Sequence, residues 1–230
     1  MTPAFYKDQE KFYVSVDCII LGFKNDKLYL LITKRRFDPL KGQDSLMAGF
    51  IRPNENLSET VQRVVYEYTG IHDMFLEQVG VYSEIGRDIG ERVISIACYA
   101  LIDIQFFDEE LSKTYNARWE ELEKMGDLIF DHNKMVEDAI HLLRQKAATQ
   151  PVGFNLLPEK FTLPQLQRLY EAIYQTPLDK RNFRKKILEM DILDKQDDKD
   201  KSNSKKGAFY YKFNKEKYDE LLERDQYFSM

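Results

Sequence analysis

The chain has 230 residues and a net charge of −5, and its 43% hydrophobic and 13% aromatic content excludes a disordered polymer and allows one large domain or a medium one plus a small one. No apolar run approaches the ~18 residues of a membrane span, and MTPAFYKDQEKFYVSV lacks the basic-then-apolar order of a secretory leader, so a cytoplasmic protein is expected. Cys18 and Cys98 lie in apolar, strand-like runs and read as buried free thiols; with His72, His132 and His141 the only histidines and no C-x-x-C or H-E-x-x-H, no metal residue is expected.

In chain order, YVSVDCIILGF (13–23) and KLYLLITKRR (27–36) read as two strands of a hairpin turned by NDK. After the loop and helix at 49–71 come two more strand candidates, EQVGVYSEIG and ERVISIACYALIDI, separated by the polar GRDIGE. LIFDHNKMVEDAIHLLRQKAA (128–148) predicts a helix capped by Asp131, with Met135, Ala139, Leu142 and Leu143 at helical spacing. Periodicity lapses over 145–158. We therefore expect a first domain at 1–148, a linker at 149–158 and a second domain at 159–230.

The second part is helical. Thr162 and Gln165 form a capping box ahead of the stripe Leu163, Leu166, Leu169, Tyr170 and Ile173. Asp179 caps the next helix, in which Phe183, Ile187 and Leu188 are expected inside and Lys180, Arg181, Arg184 and Lys185 outside. DKQDDKDKSNSKKG then reads as a charged flexible loop, followed by the strand-like AFYYKF. The charge splits along the chain, −7 over 1–150 and +2 over 151–230, which directs attention to an anionic partner for the second part. A helix with Lys180, Arg181, Asn182, Arg184, Lys185 and Lys186 in its first half is what a helix-turn-helix protein sets in the major groove: arginine forks to guanine, asparagine to adenine, and lysine neutralises phosphate. Lys205 and Lys206, with Ser202, Asn203 and Ser204, suit a wing on the DNA backbone. A solvated amphipathic helix is the plainer reading; the capped helix before it and the basic hairpin after it tip the balance toward operator DNA.

GFIRPNENLSETVQRVVYEYTGI (49–71) resembles the Nudix box, G-x5-E-x7-R-E-U-x-E-E-x-G-U. Gly49, Glu55, Arg63, Val65, Glu67, Gly70 and Ile71 match in register; Val64 and Tyr68 stand where the box has Glu. Positions i, i+3 and i+4 share a helix face, so acids at 64, 67 and 68 would converge on divalent cations bridging a diphosphate. Only Glu67 remains of those three, while Val61, Val64, Val65 and Tyr68 make an apolar stripe. Hydrolysis is expected to be lost, with no catalytic residue and no cofactor. Glu55 reads either as a structural partner of Arg63 or as a ligand residue, and Glu67 as a solvated acid or a pocket wall. GRDIGERVISIA (86–97) offers paired donors and acceptors to a polar molecule, and Arg35, Arg36, Arg87, Asp88, Glu91 and Arg92 are candidates for the rim. Trp119 reads as packing.

Together, the degenerate box and FNLLPEKFTLPQLQRLYEAIY with LDKRNFRKKILEM are similar to the Nudix-related transcriptional regulators, the NrtR-like family, and most similar to its arabinose-responsive (AraR) branch. The resemblance, over about Phe12 to Phe213, implies an α/β (α+β) fold: an N-terminal Nudix α/β/α sandwich that senses a small molecule, and a C-terminal winged helix-turn-helix that binds an operator as a homodimer. The branch implies L-arabinose as effector, and a domain of net −7 with an eroded metal site is expected to handle a neutral pentose better than ADP-ribose, the effector of NAD-metabolism members. Two other readings stand beside the regulator: a Mg-dependent Nudix hydrolase of a nucleoside diphosphate derivative, and an RNA-binding or scaffolding module.

Overall fold

In the computed structural model, residues 8–72, 74, 76–104, 114–202 and 206–223 are described. The first half is built on β1 (Tyr13–Lys24), which pairs antiparallel with β2 (Lys27–Lys34). Lys24 faces Lys27 across a two-residue turn in which Asn25 and Asp26 both have positive φ, the left-handed pair that suits a twisted hairpin. The other edge of β1 runs parallel to β6 (Val93–Asp103) along its whole length, from Tyr13 opposite Val93 to Phe23 opposite Asp103. β5 (Glu77–Tyr82) closes that side; β3 (Asp44–Ser45), β4 (Met47–Phe50) and β7 (Ala117–Glu121) complete a seven-stranded sheet. The four expected strands are present. β7 had no expectation of its own: Trp119, read only as packing, lies in it opposite Leu31 and packs partly buried against the core.

Alternation along β1 divides the interior. Val16, Cys18 and Ile20 face α1 (Leu57–Thr69) and form one core with Val61, Val64, Val65 and Tyr68. Ile19 and Leu21 face α2 (His132–Thr149) and join a second core with Met135, Ala139 and Leu143. Cys18 and Cys98 sit opposite each other as buried free thiols, and burial pushes the Cys98 thiol up to about 11.

The second core does not stop at α2. It continues into Leu166, Leu169, Tyr170 and Ile173 of α3 (Leu163–Tyr174) and Phe183 and Ile187 of α4 (Lys180–Glu189). The segment between the halves is packed: Leu156 and Leu157 are buried, and Asn155 Nδ2 donates to Leu101 O at 2.8 Å. The second half ends with a three-stranded sheet in the order β8 (Phe161–Thr162), β10 (Ala208–Phe213), β9 (Leu193–Asp200), then α5 (Lys215–Glu223). Two expectations are corrected. LDKQDDKD is a strand, because β10 supplies its ladder from Leu193 to Asp200 despite its poor strand composition. Leu188 is 38% exposed; the buried stripe of α4 is narrower, Phe183 and Ile187 alone. Among the described residues no helix is long and apolar enough to cross a membrane.

Asp44 ties the sheet edge together. Its carboxylate accepts from Arg118 Nη1 and Nη2 at 2.7 and 2.9 Å and pairs with Lys34 at 2.8 Å, while its carbonyl accepts from Ile129 N–H, fixing the chain that enters α2. The Arg118 hydrogen bonds, with Lys34, draw the Asp44 carboxyl down to about 2. A folded value below the unfolded one, about 3.9, gives stability that is present above about pH 4 and lost as pH falls through 2. Asp44→Asn is expected to reduce unfolding free energy by about 1–2 kcal/mol at pH 7 and by almost nothing near pH 2, read from denaturant titrations.

Candidate functional site

The motif helix packs into the core the two positions, 64 and 68, at which the chain departs from the box. Asn56 and Glu59 form a capping box, and Gly70 ends the helix in the left-handed conformation (φ +70°). Gly49 is needed because a β-carbon there would stand 2.5 Å from Val64 Cγ2: β4 and α1 touch backbone to side chain. Val64 is fully buried and Tyr68 nearly so, and the guanidinium of Arg36 lies 4.1 Å from the Tyr68 ring centroid. Arg63 forks onto Glu55, Nε to Oε1 at 2.7 Å and Nη2 to Oε2 at 2.9 Å, and Nη2 also donates to Phe50 O. The Arg63 hydrogen bonds hold the Glu55 carboxyl below its ordinary value. Glu67 is exposed, 3.4 Å from Arg63 and 3.5 Å from Arg52. With both Glu55 oxygens held by Arg63 and Glu67 the one acid left on its face, these residues do not fit a divalent cation that must be bridged by several carboxylates. Among the described residues no three His, Cys, Asp or Glu side chains gather as a metal site requires.

The polar chemistry lies on the opposite face of the sheet. Asp17, an odd-numbered residue of β1, points toward α2 and is 2% exposed. Ser95 Oγ of β6 donates to Asp17 Oδ2, and His132 Nε2 lies 3.2 Å from Oδ1. Leu46 N–H donates to His132 Nδ1 at 3.2 Å, so a neutral ring carries its proton on Nε2, toward Asp17. Arg87 is equally buried: Nε and Nη2 donate to Asp131 at 2.9 and 2.6 Å, and Nη2 is 3.9 Å from Asp17. Burial pushes the Asp17 carboxyl up, but the closeness of His132, the hydrogen bond from Ser95 and the charge of Arg87 together hold it below its ordinary value. Asp17 Oδ1 nevertheless accepts no well-aligned hydrogen bond among the described residues. A buried acceptor in that state is a ready partner for a ligand hydroxyl.

Asp131 begins α2 as expected, yet its side chain makes no cap bond, because Arg87 has taken it. The cleft above Asp17 is walled by Arg35, Phe37, Phe50, Phe130 and Asp88 and has a volume of about 30 Å³, room for a water or two. Arg87 also lines a second cleft of about 670 Å³, with Asp131, Tyr82, Lys134 and His141. Arg87 therefore lines both clefts, and its pair with Asp131 stands on the side of the larger one.

Of the expected rim, Arg35, Arg87 and Asp88 meet at this cleft. Arg35 lies over the rings of Phe37 and Phe130, at 4.4 and 4.9 Å. Arg36 turns to the α1 face with Glu67, and Arg92 clamps the loop by donating to Ser83 O and Glu84 O. Glu91 is exposed away from the cleft, and Glu55 belongs to the Arg63 fork. Sequence reasoning missed Asp17, Ser95, Asp131 as an ion-pair partner, and His132. One signal was available: Asp17 is a lone acid inside an apolar run, which folding must compensate.

On the other half, Asp179 caps α4 by accepting from Asn182 N–H at 2.7 Å. Lys180, Arg181, Asn182, Arg184 and Lys185 are all exposed, with Lys186 half-buried. A groove of about 810 Å³ runs between this helix, the start of α3 and the β9–β10 hairpin, lined by Lys180, Arg184, Gln165, Ser202 and Gly207. Lys206 is exposed beside it; Lys205, Asn203 and Ser204 lie outside the described residues.

Comparison with known proteins places these halves. Residues 11–143 match the NUDIX domain model, and residues 153–213 match the NrtR DNA-binding winged helix domain. An ADPR-responsive transcriptional repressor of Acinetobacter baylyi is 29% identical over 210 residues, 90% of this chain and 84% of that protein. An ADP-ribose pyrophosphatase of Methanocaldococcus jannaschii is 36% identical over 128 residues, 54% of this chain and 71% of that protein. The structure of Shewanella oneidensis NrtR with a 27mer DNA superimposes with a TM-score of 0.79 at 26% identity, covering 90% of this chain and 95% of that one. The NUDIX domain of that protein, in complex with ADP ribose, gives 0.52 at 26% identity over 62% of this chain and 99% of that one.

The buried motif face yields a test. Val64→Glu, which restores one acid of the box, is expected to destabilise the fold by about 3 kcal/mol or more, because the carboxylate replaces a fully buried side chain. Denaturant unfolding with and without Mg²⁺ measures it; a stable variant that gains Mg²⁺-dependent hydrolysis would show that the face is open.

Proposed function

Since the chain belongs to the Nudix family, in the branch fused to an NrtR-type winged helix, we propose that it is a DNA-binding transcriptional regulator whose Nudix half senses ADP-ribose. The observation that carries the DNA reading is the exposed set Lys180, Arg181, Asn182, Arg184 and Lys185 on a helix beside a wing groove, within the segment that matches a DNA-binding winged helix. Arg181 and Asn182 would read bases, and Lys185 and Lys206 would neutralise phosphate. Pairing of two chains on two half-sites belongs to the same reading.

The effector moves from L-arabinose to ADP-ribose. The Acinetobacter baylyi repressor, similar over 90% of the chain, is ADPR-responsive, and the Shewanella oneidensis NUDIX domain, similar over 62%, is complexed with ADP ribose. The net charge of −7 averages over the whole domain, whereas the cleft gathers Arg35 and Arg87 with Phe37, Phe50 and Phe130. Guanidinium groups suit a diphosphate, aromatic rings a base, and Asp17 Oδ1 a ribose hydroxyl. A ligand of that size needs about 300–1,000 Å³, so the small cleft must widen, with Arg87 moving toward the larger one. Arg87 would leave Asp131 for the diphosphate, and Asp131, released, would rearrange the first turn of α2.

The same helix carries the change to the DNA half: Arg144 Nε donates to Ile173 O at 2.9 Å at the end of α3, and Arg144 also holds Gln175. Binding shifts DNA affinity to the extent that the ligand prefers one pose of α2 over the other. Hydrolysis is not part of this reading, since the residues of the motif do not fit the required cations; the pyrophosphatase relative is the reason to test it.

Fluorescence anisotropy of the chain's own upstream DNA, titrated with ADP-ribose or L-arabinose, is the deciding experiment. Release by ADP-ribose alone is expected, with no turnover of ADP-ribose in Mg²⁺; release by arabinose alone would overturn the effector, and equal affinity for random DNA would overturn the regulator. Arg181→Ala is expected to weaken specific binding by about 1–3 kcal/mol, while Lys206→Ala weakens all sequences alike.

A further inference from the structure

One ion pair joins the hairpin turn of the Nudix half to the DNA-facing groove. Asp26 occupies the second position of the β1–β2 turn, held with φ of 63°. Its Oδ1 accepts from Arg168 Nε of α3 at 2.7 Å, although 142 positions separate the two residues. Both side chains are partly exposed, 56% and 36%, so the contact meets solvent rather than the core. Both line the groove of about 810 Å³ that also holds Lys180 and Arg184 of α4 and Ser202 and Gly207 of the wing. Asp200, at the base of that wing, is held below its ordinary value first by hydrogen bonds from Ser202 and also by the charge of Arg168. Arg168 thus stands on the wall of a groove whose other cations are the ones assigned to DNA, with Nε held by a carboxylate of the sensing half.

We propose that Arg168 is a DNA-backbone ligand and that Asp26 is a latch competing with phosphate for it. This rests on the DNA-binding reading above. When a phosphate enters the groove, the guanidinium exchanges one anion for another; when the Nudix half presses Asp26 onto Arg168, the groove loses one phosphate contact. The sensing half therefore acts on DNA affinity directly, by charge, in addition to the route through α2. The contact is sequence-independent and belongs to the positioning part of the interface.

The test is a double-mutant cycle of Asp26→Asn and Arg168→Ala in the full chain, measured by anisotropy on the upstream duplex and a scrambled duplex of equal length, across salt concentrations. Arg168→Ala is expected to weaken both duplexes alike and to lower the magnitude of the salt slope by about 0.9. Asp26→Asn is expected to tighten both by up to about fivefold, the most an exposed ion pair withholds. In the Arg168→Ala background that gain should shrink to a small residue. Equal gains in both backgrounds would mean that Asp26 acts only as a distant negative charge, and the latch would be overturned. Weaker binding by Asp26→Asn, matching Arg168→Ala, would make the pair a structural tie between the halves and also overturn it. Thermal unfolding of each variant identifies loss of fold. Wild-type protein that binds neither duplex would overturn the regulator itself, an outcome separate from either variant result.

Discussion

A carboxylate inside a strand that is buried on both faces must be matched by donors, and in this chain that requirement organises the site. Asp17 cannot face water, because β1 is flanked by β2, β4 and β6 and covered by helices. An unpaired buried charge costs several kcal/mol, so Ser95, His132 and Arg87 are drawn to it. Each partner then has its own demand: His132 takes the Leu46 N–H, and Arg87 takes Asp131. The chain from Asp17 to Asp131 fixes where α2 begins. Since α2 packs against α3, the placement of the DNA half descends from one acid in one strand.

The opposite face of the sheet followed another course. The box pattern calls for acids at 64, 67 and 68 of the motif helix. Here Val64 and Tyr68 are packed into the core with Val61 and Val65, and Gly49 lets β4 approach them closely. What remains of the motif's polar set, Glu55, Arg63 and Glu67, is a hydrogen-bonded brace between loop and helix. The motif keeps its shape because the Arg63 fork and the Asn56–Glu59 box hold it, and neither needs a metal.

The two halves meet through a continuous apolar core and a few polar ties at its border. Arg144 and Asn155 join backbone carbonyls across the junction, and Asp26 reaches Arg168 at the groove. A packed junction is suited to transmit small displacements, because close-packed side chains do not deform continuously. It also brings one acid of the sensing half, Asp26, beside the cations of the DNA half, so the groove's electrostatics belong to the whole chain.

Much was legible without coordinates. Alternating apolar runs and the NDK turn specified the first hairpin, the capping signals specified α3 and α4, and the spacing of Gly49, Glu55 and Arg63 specified the loop and helix between strands. These are local properties, decided by turn chemistry and by side chains three, four or eight positions apart. β9 escaped because its residues favour solvent and only the ladder from β10 holds it extended. The site escaped for a similar reason. Asp17, Ser95, Arg87 and Asp131 are scattered over 115 positions, and no periodicity relates a strand residue to a loop or to a helix start. Which arginines of the RRF and GRDIGER segments reach the cleft depended on strand parity and on where α2 lay. Sequence by itself determined the locally coded elements and the family of the two halves; only the tertiary structure decided the strands held by their partners and which charges meet, because a ladder or a buried ion pair is a property of distance in space and not of distance along the chain.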